Sequence, residues 1–169
     1  MRKQKGQNKT VLFLVEGETE GKLIKTLKLL GKVQKFNCWN QDIYKLIPRL
    51  KANEIYIVYD TDITENNVRF LKNIQQLTKR KFTVFLLQQT LNLEDELVKS
   101  SNCRNINAIF KTKSKKEFKA QFKDCSNLAQ KLKEIDFKAE KLWQGEHEQS
   151  LMPLESLRRF YGDLASLER

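Results

Sequence analysis

The sequence predicts an α/β domain built on a mostly parallel sheet with helices on both faces, and three observations carry that prediction. Thr10 to Val15 (TVLFLV), Glu54 to Tyr59 (EIYIVY) and Lys81 to Leu87 (KFTVFLL) are short, nearly continuous apolar runs, as in strands buried on both faces. Between them lie longer stretches with apolar residues at helical spacing, the alternation expected of βαβ units. Finally, 169 residues, 40% of them apolar and 31% charged, suit one compact domain with a real core.

Taken in order, residues 1–9 form a polar, basic arm. The strand from Thr10 ends at Glu16, Gly17 and Glu18. A helix follows, with Leu23, Ile24, Leu27 and Leu30 on one face, Thr19 as N-cap and Gly31 as the glycine past its end. Val33 to Trp39 reads as a second strand, and Asp42 to Leu50 as a short helix with Ile43, Leu46, Ile47 and Leu50 inward. The third strand, Glu54 to Tyr59, runs into Asp60-Thr61-Asp62, and a helix from Thr64 to Lys79 follows with Val68, Leu71, Ile74 and Leu77 as its stripe. The fourth strand, Lys81 to Leu87, leads to a helix over Leu93 to Val98 capped by Asn92. Ile106 to Phe110 reads as a short strand closing an α/β core over residues 10–112. Residues 113–169 read as a Lys-rich helical extension packed on that core. In it, Pro153 opens a last helix bearing Leu154, Leu157, Tyr161 and Leu164, a stripe suited to the core or to a homodimer contact.

Charge narrows the partners. There are 32 Lys and Arg against 21 Asp and Glu, a formal net charge of +11, which favours polyanions and nucleic acid first. Residues 1–35 carry nine cations against three Glu, and residues 109–141 carry ten Lys against five acids. Lysine suits attraction to the phosphate backbone better than bidentate reading of bases. No apolar run approaches the ~20 residues of a membrane span, and Val11 to Val15 is too short for a signal-peptide core. The three cysteines form no CxxC pair, so neither a disulfide scaffold nor a zinc ribbon is expected, and the chain reads as cytoplasmic. Cys38 and Cys125 read as small core residues, Trp39, Trp143 and Phe137 as packing aromatics, and His147 as a lone exposed histidine.

Candidate chemistry gathers at the strand ends, because ligands of open parallel sheets bind in the crevice beyond the carboxyl ends. Glu16 follows the first strand, and Asp60 and Asp62 follow the third. If these strands are neighbours, ~4.8 Å apart, the three acids share one place. Carboxylates so packed repel one another, and a hard divalent cation, Mg²⁺ or Mn²⁺, neutralises them. Glu20 lies one helical turn past Glu16 and is a further metal candidate. Glu94 opens the helix after the fourth strand as a candidate catalytic acid, although acids in a first helical turn also simply complement the helix dipole.

Val15-Glu16-Gly17 after one strand, then Tyr59-Asp60-Thr61-Asp62 after another about 45 residues later, resembles the TOPRIM domain of topoisomerases, bacterial primases, OLD-family nucleases and small RNA-maturation nucleases. The stretch VEGETE is especially similar to small, defence-associated OLD-type and RloB-like members. The resemblance spans roughly residues 10–110. It implies a Rossmann-like fold, Glu16 in acid–base chemistry or metal binding, and Asp60 and Asp62 as holders of one or two Mg²⁺ or Mn²⁺ ions. A metal-dependent nuclease on DNA or RNA, in phage defence or nucleic-acid processing, is the function it implies. Lys22, Lys111 and Lys113 are candidate phosphate contacts.

Gly17 to Lys22 imitates a phosphate-binding P-loop but has GxxxGK spacing, and Leu23 replaces the Ser or Thr that would hold Mg²⁺. No ATP site is therefore expected, and any ATP dependence would come from an ATPase partner. The alternative to a nuclease is a non-catalytic TOPRIM module that binds nucleic acid or a partner protein. Topoisomerase and primase activities need further domains for which 169 residues leave no room.

Overall fold

The computed structural model describes residues 9–169. Four strands, β1 (Val11–Val15), β2 (Lys32–Lys35), β3 (Glu54–Tyr59) and β4 (Thr83–Gln88), form one all-parallel sheet in the order β2-β1-β3-β4. The chain steps from β1 to β2 on one side and then returns to place β3 on the other. The carboxyl ends of β1 and β3 therefore meet where the winding direction reverses, the place where open α/β sheets hold ligands. Register sets the level of the two ends, with Val15 opposite Val58.

Strand alternation divides the core in two. Phe13, Val15, Tyr56, Val58 and Leu87 face one layer, which contains α1 (Glu18–Thr26), α3 (Leu93–Lys99), α4 (Asn107–Phe110), α5 (Lys115–Asp124) and α6 (Leu128–Glu134). Leu12, Leu14, Ile55, Ile57, Tyr59, Val84 and Leu86 face the other, where Phe70, Ile74 and Leu77 of α2 (Asn67–Lys79) pack with Phe36, Cys38, Trp39 and Ile43. Both faces are thus covered, which is why β1 and β3 read as unbroken apolar runs rather than alternating ones. This is the Rossmann-like α/β architecture.

Several expected elements differ in detail. Of the basic arm, residues 1–9, residues 1–8 lie outside the described residues. The cap of α1 is Gly17, not Thr19, whose hydroxyl instead donates to Glu20 Oε2 at 3.2 Å. Helix α1 ends at Thr26 and Lys28 takes the left-handed conformation, so Gly31 is not its terminal glycine. Gly31 has a different role: a Cβ there would lie 2.8 Å from the Phe13 ring. The second strand covers only Lys32–Lys35, because residues 37–41 turn back through bonds to Asn37. Asp42 to Leu50 is a pair of 3₁₀ turns, Ile43–Lys45 and Ile47–Arg49, rather than one helix; Pro48, inside the second, has no N–H to continue an α-helix from the first.

The strand expected at Ile106 to Phe110 is instead the helical turn α4. Ile106, Ile109 and Phe110 are spaced i, i+3, i+4, so helical geometry turns all three toward the core. The helix expected from Pro153 is absent. Gln149–Leu157, with Pro153 inside it, and Tyr161–Leu167 are 3₁₀ segments. Backbone groups here are committed to other partners: Arg159 N–H donates to Leu86 at 2.9 Å, and Leu167 C=O accepts from Leu30 at 2.7 Å. His147 is partly buried rather than exposed, with Nε2 2.9 Å from Leu151 C=O. Trp39 and Trp143 are core residues. Among the described residues no helix is long and apolar enough to cross a membrane.

Candidate functional site

Glu16 is the first residue past β1 and Asp60 the first past β3. Asp60 N–H donates to Glu16 Oε1 at 3.2 Å, and Asn37 Nδ2 donates to Glu16 Oε2 at 3.2 Å. Trp39 Nε1–H binds Asp60 C=O at 2.9 Å. The loop carrying Asn37 and Trp39 is itself fixed by buried Asn73 of α2, which donates to Cys38 C=O at 2.9 Å and Gln41 C=O at 2.7 Å. The Asp60-Thr61-Asp62 loop is stitched to the loop after β4. Thr61 and Asp62 N–H both donate to Leu91 C=O, at 2.7 and 3.1 Å, and Thr61 Oγ1 donates to Gln89 C=O at 2.9 Å. These bonds hold Leu91 in a left-handed conformation with its side chain half exposed.

The electrostatics are those of acids crowded without a counter-ion. Burial pushes the Glu16 carboxyl up to about 7, against the lowering effect of Asp60 N–H, with Glu20 and Asp62 adding repulsion. Burial pushes Asp60 up to about 8, and Glu16, Glu20, Asp62 and Glu94 all raise it further. Asp60 Oδ1 is buried without any hydrogen-bond partner. Glu20 is only 5% exposed and reaches back over the end of β1, where a Cβ on Gly17 would lie 2.7 Å from its Oε2. A side chain at position 17 would therefore push the Glu20 carboxylate aside.

The other four acids singled out from sequence thus all lie within electrostatic reach of Asp60, but not as equals. Glu16 and Asp60 are joined directly. Asp62 is exposed. Glu94 is buried on α3 and neutralised by Lys115 Nζ at 3.4 Å and Lys119 Nζ at 3.3 Å. Among the described residues no three His, Cys, Asp or Glu side chains form a ready metal cage. Mg²⁺ does not require one: it commonly takes one or two carboxylates and keeps its waters. An unpaired, buried carboxylate oxygen beside further acids fits such an ion.

The expected phosphate contacts divide. Lys22 is partly buried and lines a cleft beside Gly17 together with Lys25, Lys35, Lys123 and Glu18. Lys111 and Lys113 are exposed, and neither forms an ion pair with a site acid. Among the described residues, the lysines that pair with an acid of the site are Lys115 and Lys119. They share one face of α5 by i, i+4 spacing, after the Ser114 cap that accepts from Glu117 N–H at 3.2 Å. Asn37 carried no signal in the sequence, since its role depends on a turn that only the fold creates. No family model, curated protein or solved structure matches the chain.

Proposed function

We propose that the chain is a TOPRIM-type, Mg²⁺- or Mn²⁺-dependent nuclease acting on the phosphodiester bonds of DNA or RNA. The observation that carries this reading is the Glu16–Asp60 pair at the reversal point of the sheet, held at 3.2 Å through Asp60 N–H, with one buried carboxylate oxygen left unpartnered. Asp60 would hold the ion, with Glu16, Asp62 and Glu20 beside it. A bound ion supplies the positive charge that lets these acids ionise together and that the reacting oxygens of a phosphodiester require. The rest is the work of the chain. Asn37 and Asp60 N–H fix both oxygens of Glu16, whose carboxyl is poised near neutrality to hold or accept a proton at Oε1 or Oε2. Lys22, Lys25 and Lys35 in the adjoining cleft would grip backbone phosphates.

A second reading, a non-catalytic module that binds nucleic acid or an ATPase partner, draws on the neutralised Glu94 and the exposed Asp62. One assay separates the two. Labelled single- and double-stranded DNA and RNA are incubated with Mg²⁺, Mn²⁺ or EDTA, with wild type beside Asp60→Asn and Glu16→Gln. The nuclease reading expects metal-dependent cutting that falls at least ~100-fold in both variants. Absence of cutting on every substrate, with nucleic-acid binding equal in all three proteins, supports the module.

A further inference from the structure

We infer that Gln89 is an additional ligand of the crevice, lending its carboxamide oxygen to a divalent cation seated against Asp60; the inference rests on the reading of that crevice as a metal site. The last register pair of β3 and β4 is Tyr59 with Gln88, and the ladder continues one step through Gln89 N–H to Tyr59 C=O at 2.9 Å. Asp60 and Gln89 are therefore neighbours across parallel chains, ~4.8 Å apart at the backbone. They continue the alternation of Val58 and Leu87, so both follow the face covered by α1 and α3. Those helices carry buried Glu20 and Glu94.

Gln89 is 1% exposed, and neither Oε1 nor Nε2 has a hydrogen-bond partner. Such a group costs about 1–3 kcal/mol, so its lack of partners calls for an explanation. The adjacent Gln88 is the internal control. It is 2% exposed, yet its Oε1 accepts from Tyr59 Oη–H at 3.2 Å and from Glu148 N–H at 2.8 Å. The fold can satisfy a buried glutamine at this strand end, and does so at 88 but not at 89. The unpaired amide thus belongs to the residue at Asp60's position across the ladder, and Asp60 Oδ1 is itself buried without a partner. A carboxamide oxygen is a hard, neutral ligand that Mg²⁺ and Mn²⁺ accept, and it adds no charge to an already repulsive group of acids. Its Nε2–H₂ remains free to donate to an anionic oxygen bound next to the ion.

The test is thermal melting of the whole chain with Mn²⁺ titrated. Wild type is expected to gain stability with Mn²⁺, and Asp60→Asn to lose that response. Gln89→Leu is expected to melt at or above the metal-free wild type, because an unpaired amide is replaced by an apolar side chain, while its Mn²⁺ midpoint weakens by about tenfold or more. Gln89→Glu, which restores an oxygen ligand but adds a negative charge, is expected to melt lower without metal and to recover or exceed the wild-type Mn²⁺ affinity. If Gln89→Leu fails to fold, Gln89→Glu and Gln89→Asn carry the comparison, Asn being one methylene too short. A wild-type Mn²⁺ midpoint in Gln89→Leu or Gln89→Asn overturns the role of Gln89 and leaves the metal site standing. A wild type indifferent to Mn²⁺ overturns the metal site and the role of Gln89 together.

Discussion

In the corner between α3 and residue 143, Glu96 is 1% exposed and accepts from Thr90 N–H at 2.6 Å and from Trp143 N–H at 3.0 Å. At the ends of β1 and β3, Asp60 is partly buried with one oxygen that no donor reaches and four other acids raising its pKa. Both regions bury acids, yet one acid anchors the fold and the other lacks compensation. Burial of a carboxylate is therefore a poor sign of function by itself, and the absence of compensation is the useful one. Glu94 is intermediate, buried but answered by two lysines that are themselves about half exposed.

The largest effect should come from the anchored acid. Glu96→Ala leaves two N–H groups without an acceptor, one of them the buried Trp143 N–H, and opens a cavity beside Trp143. A loss of about 3 kcal/mol is expected, roughly 10 °C in melting temperature. A melt within ~1 kcal/mol of wild type would mean that Glu96 is as poorly compensated as Asp60, and the contrast would fail.

The crowded acids should show the opposite sign. Burial and mutual repulsion push the Asp60 and Glu16 carboxyls up to about 8 and about 7, from ordinary values of 3.8 and 4.5. From about pH 5 upward the unfolded chain has already released these protons, while the folded chain gives them up only as pH rises through about 7 and 8. Stability of the metal-free protein must therefore fall as pH rises through this window. Asp60→Asn removes the main contributor and is expected to stabilise the metal-free protein at pH 8 by on the order of 1–2 kcal/mol, a value discounted for the solvent that reaches the cleft. It should change little at pH 5. Urea midpoints at the two pH values measure it, and a wild-type midpoint independent of pH over this range would refute the crowding.

The same contrast explains what the sequence could announce. Continuous apolar runs disclosed β1, β3 and β4, because strands covered on both faces need apolar residues at every position. Glu16 and Asp60 were visible because each is the first residue after such a run, and strand ends of a parallel sheet lie at one edge. The edge strand β2 is shorter than the sequence suggests, since its Lys32–Lys35 core has little apolar pattern and the turn built on Asn37 is set by distant Asn73. The carboxyl-terminal segments misled because Leu154, Leu157, Tyr161 and Leu164 keep near-helical spacing while their backbone is tied to Leu86 and Leu30. Gln89 is equally hidden. Two glutamines in succession look alike, and only the β3–β4 register and the partners of Gln88 tell them apart.

The smallest effect belongs to the intermediate acid. Replacing both Lys115 and Lys119 by Ala removes contacts of 3.4 and 3.3 Å to Glu94, but each lysine is about half exposed, so water replaces much of what is lost. A destabilisation of about 1 kcal/mol is expected in low salt, shrinking as ionic strength rises and screens the pairs. The variant also returns a negative charge to the edge of the crevice, so under the metal reading its Mn²⁺ response should strengthen even as its metal-free stability falls. Stability and cation affinity moving in opposite directions would identify Glu94 as an acid shared between the fold and the site. A loss above ~2 kcal/mol with an unchanged Mn²⁺ response would instead class it with Glu96, as an anchor whose counter-charges are lysines instead of backbone N–H groups.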